Sequence, residues 1–532
     1  MIARSEKSVA VVGAGPGGLA AAMLLAGSGA RVRVYEREEE VGGRTGRVSV
    51  GGYQFDKGPT FFLMPYVLEE IFRATGRRLA DYADLRRLDP MYRLVVGDPE
   101  RGPTGDPTVI DATQDIAEMG RRLSAVNEED GAAFERFIRD NRAKLRAAEP
   151  ILRRPIRSPM DLARPDALAA APHIRPQLSV HQLLSKYFGD HAVRLAVSFQ
   201  SKYLGMSPYD CPSLFTILPF IEYEYGVWHP VGGCHALMRG MARACREMGV
   251  EIETGAAVES VAFEGRRATG VVVGGEKREH EHVVINADAT WALKKLIPEH
   301  LRGKDTDASL DAKKYSCSTY MLYLGVDGEL DLPHHTIYIS SRYEENLREI
   351  GGGSLSEDPS FYVCNASRTD PSLAPAGKSS VYVLVPTPNT REGERIDWSA
   401  EAGAARSVVL DQVRDRLGVD LGGRIEAEVA ITPDDWRSMN INHGATFNLA
   451  HNLGQMLHKR PQHKLPTTEG VWLVGGGTHP GSGLPVIFLS SQITSKLLCG
   501  ELGLPFAGDA ARPERVGAVA PEPAGAGIPS GA

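Results

Sequence analysis

Cysteine is scarce in this chain: six among 532 residues, at Cys211, Cys234, Cys245, Cys317, Cys364 and Cys499. No two are spaced C-x-x-C, which excludes a dense disulfide framework and a zinc ribbon and points to reduced thiols in a cytoplasmic protein. Metal-ligand spacing is missing among the histidines too. His334 and His335 are adjacent, and neighbours on a strand face opposite sides, so no metal is expected. Positive charge is not in excess: 60 Lys and Arg stand against 67 Asp and Glu, a net charge of −7, with a pI near 6.1. That balance excludes nucleic acid as the main partner. Long apolar runs are lacking but for one, Ser8 to Ala30, which carries no charge and is long enough to span a bilayer. Its six glycines fall in a turn pattern, so it reads as a buried strand and helix. No basic segment of the signal-peptide kind precedes it, and no cleaved leader is expected. What remains is a soluble globular composition, 42% apolar and 24% charged, long enough for two or three domains.

The stretch that organises the rest is Val9-Ala10-Val11-Val12-Gly13-Ala14-Gly15-Pro16-Gly17-Gly18. A β-branched run ends in a G-x-G-x-x-G loop, an Ala/Leu-rich helix follows from Leu19 to Gly27, and a second run, Arg31 to Tyr35, closes on Glu36. In this context each residue has a job in dinucleotide binding. Gly13 permits the turn, Gly15 lets backbone approach a pyrophosphate, and Gly18 lets the helix pack on the strand. The helix N-terminus that follows Ala14, with Pro16 and then Gly17 in its first turn, offers free N–H groups other than the proline's and a positive dipole end. Glu36 can accept from a ribose hydroxyl and would repel a 2′-phosphate, so FAD or NAD is favoured over NADP.

Further on, Tyr66–Thr75 reads as a helix and Met91–Val96 and Thr108–Asp111 as neighbouring strands. Residues 112–203 look mainly helical. Within them Arg136 to Arg157 holds eight basic residues and two acids and runs into an apolar, proline-punctuated stretch through Met160, Leu162 and Leu168. This segment reads either as a docking face for an anionic bilayer or as a solvated helix with an irregular connector. In 204–225, Glu222 and Glu224 share a face if the segment is extended. That face either lines a cavity, where they are candidate general bases, or is half-exposed. Trp436, Met439 and Phe447 are candidates for lining a lipid channel or for plain core. His479 reads as a turn histidine satisfied by local packing. Residues 506–532, rich in Ala, Pro and Gly, are expected to be a disordered tail.

The segment Glu36 to Thr60, with Gly42-Gly43-Arg44, resembles the FAD-dependent amine oxidase and phytoene desaturase superfamily. Gly226-Val227-Trp228-His229-Pro230-Val231-Gly232-Gly233, Leu332–Tyr338, Asn442–Leu449 and Gly475-Gly476-Gly477-Thr478-His479-Pro480-Gly481-Ser482-Gly483-Leu484-Pro485 are similar to stretches of bacterial carotenoid desaturases, the phytoene and dehydrosqualene desaturase group. Val-Ile-Phe after Pro485 resembles the C30 and later-pathway branch. The resemblance implies an α/β (mixed α+β) fold, a Rossmann-like FAD-binding domain assembled from discontinuous segments with an inserted substrate domain of mixed sheet plus helices. The implied parts are 1–110, 226–290 and 465–505 for FAD, 111–225 as a helical, membrane-facing insertion, and 291–464 as substrate domain. Besides the loop glycines, it implies FAD contacts at Glu36, Arg37, Gly43, Arg44, Pro59, Thr60, Val258 (to the adenine), Asp288, Gly477, Thr478, Pro485 and Val486. It implies hydride transfer from an allylic C–H of a linear polyprenyl hydrocarbon to flavin, and a hydrophobic polyene substrate met at the inner face of a membrane. Carotenoid isomerases, saturases and terminal-methyl oxygenases use the same scaffold. Amine oxidases share the N-terminal motifs, but Gly475–Pro485 offers neither an aromatic cage nor a flavin-linking cysteine. Lipid-binding chaperones of the GDP-dissociation-inhibitor type lack the flavin, against which the intact loop and Glu36 argue. Nothing in the sequence speaks to oligomeric state.

Overall fold

The computed structural model describes residues 7–100, 102–103 and 105–509. Of the tail expected at 506–532, Phe506 packs on the core and Ala507–Asp509 form a short helical turn tied by Ala507 N to Ser28 Oγ at 3.0 Å; the rest lies outside the described residues. Two sheets carry the molecule. The first is five-stranded and parallel throughout, in the order Val471–Leu473, His282–Ile285, Ser8–Val12, Arg31–Tyr35, Glu251–Glu253. Its inner strands are short and mostly apolar because both faces are covered, while the edge strand Glu251–Glu253 is polar. The helices Pro16–Gly27, Cys234–Glu247 and Leu484–Leu502 pack together on one face. An antiparallel three-stranded sheet, Val258–Glu264, Arg267–Val273 and Glu276–Glu279, covers the other. Three distant pieces of sequence thus build one nucleotide-binding layer.

The second sheet has seven strands: Ile425–Ile431, Ser318–Val326, Ser379–Thr387, Phe361–Asn365, His335–Ile339, Tyr92–Val96 and Thr108–Ala112. All its pairs are antiparallel except His335–Ile339 with Tyr92–Val96. The strands expected at 91–96 and 108–111 are present, but they extend this larger sheet rather than the nucleotide-binding one. A boundary at 110 therefore cuts across the sheet order.

The helical insertion stands over one end of this sheet. Its long helix, Glu128–Leu152, starts at an Asn127 cap whose side chain accepts from Asp130 N. Part of the basic face read from the sequence is spent on internal partners, while Arg136, Arg139 and Arg146 stay exposed. Arg142 pairs with Glu224, Arg153 with Glu70 and Glu149, and Arg154 with Asp166. Lys144 is buried against Thr216. Ser8 to Ala30 is a strand and helix within the first layer, and no helix of the described residues is long and apolar enough to cross a membrane.

Candidate active site

The glycine loop leaves the first strand at Gly13, whose φ of +93° only glycine adopts without strain. A Cβ on Gly18 would lie 2.0 Å from the Gly13 carbonyl oxygen, and one on Gly17 would lie 2.5 Å from Asn286 Oδ1. Asn286, just past the strand His282–Ile285, donates from Nδ2 to the Gly13 carbonyl at 3.2 Å and props the loop from beneath. Gly43 stacks its bare backbone on Gly15, where a Cβ would meet the Gly15 Cα at 3.5 Å. The helix behind the loop has no side-chain cap, nor has Leu484–Leu502, which opens with Pro485 in its first turn beside Val486. These two N-termini lie side by side: Ser491 Oγ donates to the Gly17 carbonyl at 2.9 Å. Uncapped N–H groups on two adjacent helices, with glycine backbone between them, fit the phosphates and electron-rich edge of a flavin dinucleotide.

Other sequence candidates surround this cradle. Glu36 is buried and accepts from Ala14 N at 2.6 Å and Glu38 N at 3.1 Å; burial raises its carboxyl above the ordinary range. Arg37 pairs with Glu38. Arg44 donates to the Thr446 carbonyl at 2.6 Å and to Asn448 Oδ1 at 2.8 Å, which ties the Gly42–Arg44 turn to the C-terminal half. Pro59 is half-buried and leads into Thr60, which is buried. Val258 opens the covering sheet opposite Val273. Asp288 caps the helix Ala289–Leu296, accepting from Trp291 N at 3.0 Å. Gly477 has no room for a Cβ against Ala289, and Thr478 Oγ1 donates to the Gly475 carbonyl at 2.8 Å. His479 reaches the carbonyls of Ile151 and Arg154 through Nε2, clamping the turn to the long helix.

Sequence reasoning missed Arg460, which holds the shape of this C-terminal turn. Fully buried, it donates to the carbonyls of Gly476, Thr478, Leu449 and Ala450. No local pattern marks it. The Gly226–Gly233 signature proves to be a hinge between layers. Gly232 N donates to Asp370 at 2.6 Å, and the next helix starts on Asp56, which accepts from Cys234 N and His235 N.

Glu222 and Glu224 correct the extended-strand reading. They lie in the helix Ile217–Tyr225, where residues two apart point to nearly opposite sides. Glu224 takes a two-point ion pair with Arg142, at 2.9 and 2.6 Å. Glu222 is fully buried. Its Oε2 accepts from Tyr92 OH and from Gln200 Nε2, each at 2.9 Å, while Oε1 has no hydrogen bond. Burial pushes its carboxyl up to about 7, and the hydroxyl and amide neighbours only partly offset that.

One aromatic ring connects Glu222 to the cofactor side. Phe61 stacks on His335 with centroids 4.1 Å apart and also touches Tyr92, Tyr203 and Tyr362. A chain of hydroxyls runs from Tyr382 and Thr60 (3.2 Å) through Tyr362 (2.8 Å) to His335 Nδ1 (2.5 Å). His334 precedes the strand that His335 opens. The two rings therefore meet edge to face at 4.4 Å rather than facing opposite sides, and their ligand atoms lie within 4.8 Å of Cys364. Burial keeps both imidazoles neutral, far below their usual pKa, and each leaves its Nε2 without a partner. The cluster forms a buried, neutral polar patch packed against Phe61, which in turn touches Tyr203. Trp436, by contrast, is core: it is buried and donates from Nε1 to the Thr319 carbonyl. Met439 packs partly buried against the same cluster.

The geometry is that of known flavoproteins. The family described as flavin containing amine oxidoreductase matches residues 16–495. A 4,4'-diapophytoene desaturase (4,4'-diapolycopene-forming) of Methylomonas sp is 43% identical over 93% of this chain and 95% of its own. An all-trans-zeta-carotene desaturase of Myxococcus xanthus is 40% identical over 94% of each. An oxidoreductase from Methanosarcina mazei, known from its crystal structure, shares the fold with a TM-score of 0.65 at 16% identity, covering 92% of this chain and all of that one. With the glycine cradle, the two uncapped helices and this near-complete match, the chain belongs to the flavin containing amine oxidoreductase family, in its carotenoid desaturase group.

Proposed function

We propose that this chain is an FAD-dependent desaturase of a linear, acyclic carotenoid precursor, of the diapophytoene class that its Methylomonas relative is named for. The observation that carries this reading is similarity along nearly the whole chain to a diapophytoene and a zeta-carotene desaturase, 43% and 40% identical, joined to a buried cluster of aromatic and neutral polar groups that reaches the cofactor candidate Thr60. FAD supplies the acceptor for the hydride lost from a CH–CH bond. The protein has to hold a flexible hydrocarbon in register, keep water out and take up one proton. Phe61, Phe199 and Tyr203 give the chain an aromatic surface. Glu222 is the proton acceptor: a carboxylate held near neutral pKa by burial both accepts and releases a proton at working pH. Tyr92 and Gln200 orient it through Oε2, and the Tyr203 hydroxyl stands beside the same carboxylate. The C30 or C40 question is settled by incubating the holoprotein in liposomes with diapophytoene or phytoene and reading the extracted pigment. A longer conjugated polyene from diapophytoene supports the reading; unchanged pigment from both sinks it.

The substrate lives in a bilayer, so we place the protein at the inner, cytoplasmic surface of a membrane, docked rather than spanning. Co-sedimentation with vesicles tests this, and a protein that stays in the supernatant at low salt counts against it.

A further inference from the structure

Behind the C-terminal turn lies a cleft of about 1040 Å³ that none of the cofactor candidates lines. Its rim carries Arg157, Lys304, Lys313 and Lys459, none of which has an ion-pair partner among the described residues, against two acids, Asp305 near Lys313 and Glu501, which pairs with Lys464. Its floor is apolar: Leu465, Trp472, Leu473 and Leu497. Into it faces His463, a nearly fully buried histidine whose Nδ1 is held by Thr494 Oγ1 at 2.8 Å and whose Nε2 has no partner. A rim of unmatched cations, a buried unpartnered ring nitrogen and an apolar floor suit one kind of ligand, an anion attached to a hydrocarbon.

The surroundings say where that ligand comes from. Of the large hydrophobic residues left exposed in the described chain, Met160, Leu168 and Leu453 all belong to the segments that frame the cleft. Leu453 precedes Gly454 on the rim, and Leu457 packs against Ile151, Ile156, Ala167 and Ala170 of the insertion. Exposed apolar side chains beside a cationic cleft match the interface of an anionic bilayer, where the hydrocarbon and the phosphate lie within one side-chain length of each other. The basic segment of the long helix offers less, because Arg142, Arg153 and Arg154 are paired internally and Lys144 is buried.

We infer that this cleft binds the phosphate headgroup of an anionic phospholipid and so sets which face of the protein meets the bilayer. The inference rests on the membrane reading above. The test is flotation of the holoprotein with neutral phosphatidylcholine vesicles and with vesicles containing phosphatidylglycerol, for the wild type, the double variant Lys304→Glu/Lys459→Glu and a control, Arg348→Glu, on the helix Tyr343–Gly352. Bound flavin shows that each variant is folded. The wild type is expected to float with the anionic vesicles and release as salt rises. The double variant should lose at least about tenfold in partition at near 1 kcal/mol per charge, and the control should float as the wild type does. A double variant that floats like the wild type, or a control that falls equally, overturns the cleft assignment but not membrane docking. A wild type that floats with neither vesicle overturns both. Release by inorganic phosphate at matched ionic strength, with phosphate bound by the vesicle-free protein, would make the ligand a soluble anion and overturn the lipid assignment.

Discussion

Around Gly18 the fold leaves no room for a Cβ; around Glu222 it leaves polar atoms without partners. The first region is a backbone device, closed by contacts of Gly13, Gly17 and Gly18 with Asn286 and with one another. The second is a side-chain device in which Tyr92, Gln200, Glu222, His335 and Tyr362 come from five separate elements. Steric closure makes the cradle intolerant of any added atom. Incomplete satisfaction makes the Glu222 cluster tolerant of substitution in stability but not in chemistry. Substitutions in the two regions should therefore separate cleanly: one set loses cofactor and fold, the other keeps both and loses turnover.

The largest effect is expected from Gly18→Ala. Its methyl would sit 2.0 Å from a backbone oxygen, so the loop must open, and the purified protein should lose its flavin colour and its cooperative melt together. A yellow variant with a wild-type melt would break the comparison on the cradle side. Next is Glu222→Gln, which should keep flavin and lower turnover on the order of a hundredfold, about 3 kcal/mol. Because Glu222 must be ionised to accept a proton and burial puts it at about 7, wild-type turnover should rise as pH increases through that value, while the variant's profile is flat there.

The same shift has a stability consequence of fixed sign. The folded protein holds this proton more tightly than the unfolded chain, whose ordinary value is 4.5. Glu222 therefore favours folding at low pH and loses that contribution as pH climbs from 4.5 to about 7. Glu222→Gln should melt progressively higher relative to wild type across that window, as followed by thermal denaturation at stepped pH.

Tyr362→Phe sharpens the comparison inside the buried cluster. It cuts the link between Thr60 and His335 but leaves Thr60 its contact with Tyr382. A loss of about tenfold in turnover, the equivalent of one hydrogen bond, with flavin retained, is the expected result. The smallest effect belongs to Glu224→Gln. The Arg142 partner is 36% exposed and can return to water, so stability should fall by about 1 kcal/mol or less with turnover unchanged. A turnover loss as large as that of Glu222→Gln would mean that the wrong carboxylate was assigned.

The two regions also differ in how far they could be read from the chain. The cradle is local: strand, Gly13 to Gly18, helix and Glu36 follow one another, and the turn chemistry demands those residue types in that order. The C-terminal turn was legible for the same reason. The buried cluster is not local. Tyr92 and His335 meet because their strands form the one parallel pair in a seven-stranded sheet, and pairing between strands more than two hundred residues apart leaves no periodic trace. Glu222 and Glu224 were picked out as candidates, yet the strand reading failed. A nine-residue apolar segment containing Pro219 fits a short buried helix as well as a strand, and packing against the long helix decides between them. Arg460 had no signal because its partners are all backbone carbonyls, which any sequence supplies.

The central claim is that Glu222 takes the proton released as the cofactor is reduced, and single-turnover reduction tests it most directly. Oxidised holoprotein is mixed without oxygen with liposomes carrying diapophytoene, and the loss of oxidised-flavin absorbance is timed for the wild type and for Glu222→Gln across pH. The account predicts fast loss in the wild type, accelerating through pH 7, and a slow, pH-independent loss in the variant. Equal rates and equal pH profiles in the two proteins would contradict it.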